Sequence, residues 1–307
     1  MAQAQQAQPP GTARDPALTL RGVTVRFGGL TALDDVSLEV PEGGTVGIIG
    51  PNGAGKTTLF NVICGFVRAD AGTITWQDRP LRPRPQKLIG LGIARTLQGI
   101  GLFPGLSVLE NVMAGADQRK KIGFGSSLLA LPRSDRAERE LRGAAMARLE
   151  EFKIASWADR RPDDLPYPVR KKVALARALV AQPRLLLLDE PAGGLGGEDI
   201  EELATLIRSL GSRRGGGVTV MLVEHHMDLV MQVCQRVVVL DFGRVIAAGT
   251  PDEIRDDPAV AEAYLGAEAG GHQPTGAQVV EDGAVEGGVV EGGVVEGGAP
   301  TGGGPLS

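Results

Sequence analysis

Gly50-Pro51-Asn52-Gly53-Ala54-Gly55-Lys56-Thr57-Thr58 is the stretch from which the rest of this chain can be read. It follows an apolar run, Val46-Gly47-Ile48-Ile49, that reads as a buried β-strand, and it leads into Leu59-Phe60-Asn61-Val62-Ile63, which has helical character. Strand, glycine loop and helix in that order are the context in which G-x-x-x-x-G-K-T wraps a chain of phosphates. Glycines let successive backbone N–H groups turn inward and form a concave nest for an anion, and the helix N-terminus adds its partial positive charge. In such a loop Lys56 reaches the β- and γ-phosphates and the Thr57 hydroxyl ligates Mg²⁺. The alternative is a glycine-rich turn that binds nothing, and the complete pattern in its proper context argues against it. The stretch predicts a nucleoside-triphosphate site.

A chain of 307 residues has room for one large domain or two modest ones, and a hydrophobic content of 42% supports a sizeable core. The net charge of −5 gives no electrostatic footprint for nucleic acid. Cys64 and Cys234 both lie in apolar segments, which predicts two buried free thiols and suits a reducing compartment. The segment before Arg14 is rich in Ala, Gln and Pro and lacks the apolar core of a signal peptide. No apolar run reaches the roughly 18 residues that a membrane span requires, so any membrane role is expected to come through partners.

Outward from the glycine loop, Leu18-Thr19-Leu20, Val23-Thr24-Val25-Arg26-Phe27 and Val36-Ser37-Leu38-Glu39-Val40 alternate as antiparallel strands do. Phe27, after the first of them, is placed either to stack on an adenine ring or to pack in the core, and the pattern leaves both open. Ala71 to Trp76 reads as a further short strand, and Gly99 to Leu106 as a loop. From Val108 to about Ala155 the character is helical, and its basic clusters, Arg119-Lys120-Lys121 and Arg133 to Arg142, read as a solvated face rather than a membrane contact. Pro162 to Pro168 is expected to be a turn that opens a helix from Val169 to Val180. Arg170, Lys171 and Lys172 then crowd its first turn against the helix dipole, as though an anion were presented there. Leu185 to Leu188 is a buried strand, followed by a helix at Asp199–Leu210, a strand at Val218–Val223, a helix at Met227–Cys234 and a hairpin about Asp241-Phe242-Gly243. Buried strands alternating with helices predict a mostly parallel sheet covered on both faces. Beyond Gly266 there is no aromatic, Lys or Arg residue, and Val-Val-Glu-Gly-Gly recurs at Val289 and Val294, a composition that predicts disorder.

Asp189-Glu190 ends the run of four leucines. A carboxylate at the end of a buried strand holds the Mg²⁺ shell, and its neighbour is positioned to polarise an attacking water. Val223-Glu224-His225-His226 comes one strand later, and a histidine there is placed to reach the γ-phosphate and report its loss.

With these residues in view, the chain resembles an ATP-binding-cassette (ABC) ATPase from roughly Leu18 to Gly266. The family's ordered elements stand at Gly50–Thr58 (Walker A), Gln98 (Q-loop), Leu165–Val169 (signature), Leu185–Glu190 (Walker B), Gly194–Glu198 (D-loop) and His225 (switch histidine). Phe27 to Leu33, Thr57 to Asn61, Ala94 to Gln98 and Asp257 to Gly266 are similar to the ATPase of branched-chain amino-acid importers, and urea/amide importers and the lipopolysaccharide-export ATPase are near relatives. The resemblance implies an α/β P-loop NTPase fold: a RecA-like core with an antiparallel β subdomain and an inserted helical subdomain at about 99–182. This ATPase domain would span 16–266, between a disordered segment 1–15 and a disordered Gly/Val/Glu-rich tail 267–307. ATP and Mg²⁺ are implied as cofactors. Gly50, Pro51, Asn52, Gly53, Ala54, Gly55, Lys56, Thr57, Thr58 and Phe27 would bind the nucleotide, and Thr57, Gln98 and Asp189 the metal. Glu190, His225 and Gln98 would be catalytic. The implied setting is the cytoplasmic face of the cell membrane, with two transmembrane permease subunits, a second ATPase subunit and an extracytoplasmic solute-binding protein.

One element departs from the family. The usual signature, Leu-Ser-(Gly or Tyr)-Gly-Gln, stands here as Leu165-Pro166-Tyr167-Pro168-Val169. In the family the serine hydroxyl and glycine N–H contact the γ-phosphate bound by the partner. Pro166 has no hydroxyl, and Pro168 has neither an N–H nor glycine's freedom. The expectation is an asymmetric heterodimer whose partner ATPase supplies an intact signature. The rival readings are two working sites supported by Arg170 and the helix N-terminus, a soluble cassette acting on nucleic acid or ribosomes, and a non-catalytic regulatory cassette.

Overall fold

The computed structural model describes residues 15–96, 100–116, 132–211 and 217–269. In chain order its first elements are β1 (Pro16–Phe27), β2 (Leu30–Pro41), β3 (Thr45–Ile49), α1 (Lys56–Cys64), β4 (Ala71–Trp76) and a two-residue β5 (Arg79–Pro80). The alternating segments pair as the period-2 pattern dictates. They form a four-stranded antiparallel sheet in the order β2-β1-β4-β5, with Leu20 opposite Leu38 on one side and Ile74 on the other.

The second sheet adds β6 (Ile93–Arg95), β7 (Leu185–Asp189), β8 (Thr219–Val223), β9 (Arg236–Asp241) and β10 (Arg244–Gly249). Its order is β10-β9-β3-β8-β7-β6, parallel throughout except for the β9–β10 hairpin. Strands β3, β7 and β8 are buried along their whole length. Their near-continuous apolar sequence is what burial on both faces demands. Alternate residues feed two separate cores. Leu186, Leu188, Val220 and Leu222 pack toward the helices, whereas Leu185, Leu187, Met221 and Val223 join the core shared with α1 and the antiparallel sheet.

Between β6 and β7 in sequence lie α2 (Val108–Ala114), α3 (Pro132–Glu151) and α4 (Tyr167–Val180), which pack on one another. A reciprocal capping box between Ser107 and Glu110 starts α2. The helical reading from Val108 to Ala155 is thus divided: α2 stops at Ala114, and residues 117–131, with Arg119-Lys120-Lys121, lie outside the described residues. Just past α2, a Cβ on Gly115 would sit 2.0 Å from the Arg177 carbonyl oxygen, so only glycine allows this approach to α4. The Arg177 side chain donates to the carbonyls of Gly101 (2.7 Å) and Ile100 (3.4 Å) and lies over the Phe103 ring. Helix α4 begins two residues earlier than expected, with Pro166 as its N-cap and Pro168 inside the first turn. Proline is tolerated there because first-turn N–H groups have no intrahelical acceptor and its fixed φ suits the helix.

The chain continues with α5 (Gly197–Gly211), α6 (Met227–Val233), α7 (Pro251–Arg255) and α8 (Pro258–Ala269). One unit ends at Ala269. Residues 1–14 and 270–307, where disordered termini were expected, fall outside the described residues. Among the described residues no helix is long and apolar enough to cross a membrane.

Cys64 and Cys234 are both free and buried. Burial pushes the Cys234 thiol from 9.0 up to about 12. Between those values the unfolded chain has released the proton and the folded chain retains it, so stability falls as pH rises. The slope from this group is about 1.4 kcal/mol per pH unit. Denaturant titrations above pH 9 are expected to show that slope in the parent protein, and Cys234→Ala is expected to lack it.

Candidate nucleotide site

The glycine loop is wedged between the β9–β10 turn and the start of β2. Gly243 donates to the Ala54 carbonyl (3.0 Å) and accepts from the Asp34 N–H (2.8 Å), tying the hairpin turn to both walls. Gly50 has φ +146°, and a Cβ there would lie 2.0 Å from the Leu240 carbonyl oxygen. Because the obstacle is backbone, Gly50→Ala is expected to cost about 3 kcal/mol in chemical denaturation or to prevent folding. Helix α1 starts at Gly55 with no side-chain cap and no acidic residue in its first turn, which leaves its N–H groups to an anion. Lys56 folds over the loop and donates to the carbonyls of Gly50 (2.7 Å) and Pro51 (2.8 Å). Burial lowers its pKa, against the carboxylates of Glu190 and Asp189, which raise it. Thr57, Asn52 and Gly53 are exposed along the rim.

Asp189 ends β7 beside this loop, and its Oδ2 accepts from Arg95 Nη2 at 2.7 Å. Arg95 also donates to Asn61 Oδ1 on α1 (2.7 Å) and lies over the rings of Phe60 and Phe66. Sequence reading quoted Arg95 only as part of a motif and missed this pairing. Asp189 Oδ1 is buried without a hydrogen-bond partner. A buried carboxylate oxygen without a partner is an oxygen donor of the kind a hard divalent cation takes.

Glu190 follows with φ +47°, the left-handed region that residues with a Cβ seldom adopt. Its N–H donates to the Val223 carbonyl (2.9 Å). Asp189 pairs with Val223 in the sheet, which sets the end of β7 beside the turn carrying His225. That turn is organised by Glu224, a fully buried carboxylate the sequence reading did not single out. It accepts from the N–H groups of Ala192 (2.7 Å), His225 (2.9 Å) and His226 (3.1 Å). Its signal in sequence was an acidic residue directly after a buried strand. The His225 ring is more than half exposed and stacks obliquely on His226. Phe27 closes the β1–β2 hairpin opposite Leu30 with half its surface exposed, so it is not a core residue and its ring is free to stack. Gln98 falls within residues 97–99, outside the described residues.

A family profile described as "ABC transporter" matches residues 33–193, and one described as "Branched-chain amino acid ATP-binding cassette transporter" matches residues 244–270. The chain belongs to the ABC transporter family. It is 42% identical to the high-affinity branched-chain amino acid transport ATP-binding protein LivG of Salmonella typhimurium, over 82% of this chain and 98% of that protein. It is 36% identical to the lipopolysaccharide export system ATP-binding protein LptB of Escherichia coli, over 81% and 97%. An ATP-binding cassette of an ABC transporter solved in its ADP conformation superposes with TM-score 0.71 at 30% identity, covering 82% of this chain and 99% of that one. The protein is accordingly an ATP-binding cassette that hydrolyses ATP, with the α/β cassette fold.

In this cassette the signature residues are held by their own chain. Leu165 is buried, and its carbonyl accepts from Arg170 Nε (2.9 Å). The Tyr167 hydroxyl donates to the Gly193 carbonyl (3.3 Å), and its ring packs against Gly194. Lys171 Nζ donates to the carbonyls of Glu190 and Pro191, both at 3.0 Å, and Lys172 pairs with Glu202 at 2.6 Å. The expectation that these three cations crowd the first turn to await an anion is therefore corrected. Each has an acceptor within the chain, which offsets its unfavourable place on the helix dipole.

Proposed function

We propose that this cassette is the ATP-hydrolysing subunit of an importer for branched-chain amino acids or related small solutes. It works at the cytoplasmic face of the cell membrane, docked on two transmembrane permease subunits fed by an extracytoplasmic solute-binding protein. The observation that carries the reading is the importer-specific match at residues 244–270, because it lies in β10, α7 and α8, outside the nucleotide-binding motifs that all cassettes share.

In this reading the loop Gly50–Thr58 cradles the phosphates, Lys56 neutralises them and Phe27 stacks on the adenine. Thr57, Asp189 and Gln98 would hold Mg²⁺, which would supply charge neutralisation to the transferred phosphoryl group. The partnerless Oδ1 of Asp189 supports that assignment. Glu190 accepts the proton of the attacking water, and His225, on a turn fixed by Glu224, reads the γ-phosphate. The chain pairs with a second ATPase. Because Pro168 removes an N–H from the first turn of α4, the site that depends on this signature is slow, and the partner carries an intact one.

The test is affinity purification from detergent-solubilised membranes, with co-eluting proteins identified by mass spectrometry. Two polytopic permeases and a second, signature-intact ATPase are the expected result. Recovery with lipopolysaccharide-export components, or with ribosomes and no permease, overturns the importer reading. A homodimer that hydrolyses ATP briskly at both sites overturns the asymmetry.

A further inference from the structure

We infer that Lys171 is a positioning residue for hydrolysis: it clamps the turn that carries Glu190 and joins that turn to the signature helix of the same chain. This rests on the reading of Glu190 as general base.

Three observations converge on the Lys171 ammonium. The carbonyls of Glu190 and Pro191 both point at it, each 3.0 Å away. These are consecutive carbonyls facing one way, and an ammonium with three donors in a rotatable fan is suited to holding both. Second, the turn is not at rest by itself. Glu190 holds φ +47°, and strained backbone of this kind persists only where its surroundings impose it. Apart from Lys171, the Glu190 carbonyl accepts only from the Gly193 N–H at 3.2 Å among the described contacts. Third, the grip is double and comes from one face of one helix. Tyr167 and Lys171 are four residues apart on α4, so their side chains lie together. The Tyr167 hydroxyl binds the Gly193 carbonyl while its ring lies 5.6 Å from Lys171 Nζ. Gly193 lies against the same atoms: a Cβ there would stand at ordinary contact distance, 3.4 Å from the Glu190 carbonyl oxygen and 3.7 Å from Lys171 Nζ.

The electrostatics agree with the geometry. Burial lowers the Lys171 pKa, and the carboxylates of Glu224 and Glu190 oppose that shift. Glu224 in turn fixes the N–H groups of Ala192, His225 and His226. One ammonium therefore stands among the Glu190 turn, the residues after it and the histidine turn. In the proposed pairing with a second ATPase, the N-terminus of α4 would face the partner's nucleotide. Lys171 then makes the turn bearing this chain's own base follow the helix that reads the other site.

The experiment uses the transporter complex recovered with the full-length chain, carrying Lys171→Met, Lys171→Gln or Lys171→Arg. With the methionine variant, kcat for ATP is expected to fall about 10- to 100-fold while KM stays within about twofold, the signature of a displaced reacting group rather than lost binding. Arginine, which keeps charge and donors, is expected to restore kcat to within about fivefold of the parent. In a Glu190→Gln background, Lys171→Met is expected to add nothing, since both act on one group. Unchanged kcat in the methionine variant overturns the inference, as does full additivity in the double mutant. If the methionine variant does not fold, glutamine is the deciding substitution, and parent-like turnover in it overturns the inference equally. Failure of the underlying reading is separable, because it appears as normal turnover in Glu190→Gln alone.

Discussion

Glu190→Gln is expected to leave ATP binding intact and to lower the hydrolysis rate at this chain's site by at least about 100-fold, the lower end of what a positioned base contributes. The substitution is nearly isosteric. The backbone contacts that fix the turn, from the Glu190 N–H to Val223 and from Lys171 to the Glu190 carbonyl, involve no carboxylate atom and survive it. What disappears is a proton acceptor and one of the two carboxylates that favour the charged form of Lys56. Single-turnover hydrolysis with radiolabelled ATP, read beside retention of unhydrolysed ATP, separates these effects. Turnover at the parent rate removes Glu190 from the mechanism.

Lys56→Ala is expected to act one step earlier. A buried ammonium beside the phosphates contributes charge-assisted hydrogen bonds of about 1.5–3 kcal/mol. Its loss therefore weakens ATP affinity by roughly 10- to 100-fold and takes turnover with it. Folding is expected to weaken by about 1–3 kcal/mol, because the buried Gly50 carbonyl and the part-buried Pro51 carbonyl lose their donor. Titration with a fluorescent nucleotide, together with a melting curve, checks both halves. Parent-like affinity contradicts the assignment of Lys56 as the phosphate-binding lysine.

How far the sequence could be read follows from the reach of each interaction. The glycine loop, the four leucines before Asp189 and the alternation in β1 and β2 are local patterns, and each became the element it predicted. The start of α4 was read two residues late because proline was taken as a boundary, whereas in a first helical turn it is at home. Helix α7 had a readable start in Thr250-Pro251-Asp252-Glu253, a capping box with proline at its first position, that went unused. The contacts that tune the site were of another kind. Arg95 with Asp189, Glu224 with Ala192 and Lys171 with Glu190 join residues 94, 32 and 19 positions apart, and no periodicity or motif spacing encodes such partnerships.

The close approach of Gly115 to the Arg177 carbonyl carries a mechanical consequence. With no side chain at this point the end of α2 rests directly on the α4 backbone, and any larger residue at position 115 would force the two apart. Arg177 anchors residues 100–103 near one end of α4, and Tyr167 and Lys171 grip the Glu190 turn at the other. The fourteen-residue helix is thus a stiff rod about 20 Å long, pinned at both ends. One helix therefore ties residues 100–103 to the turn that carries Glu190, so a substitution that tilts α4 is expected to disturb both ends together.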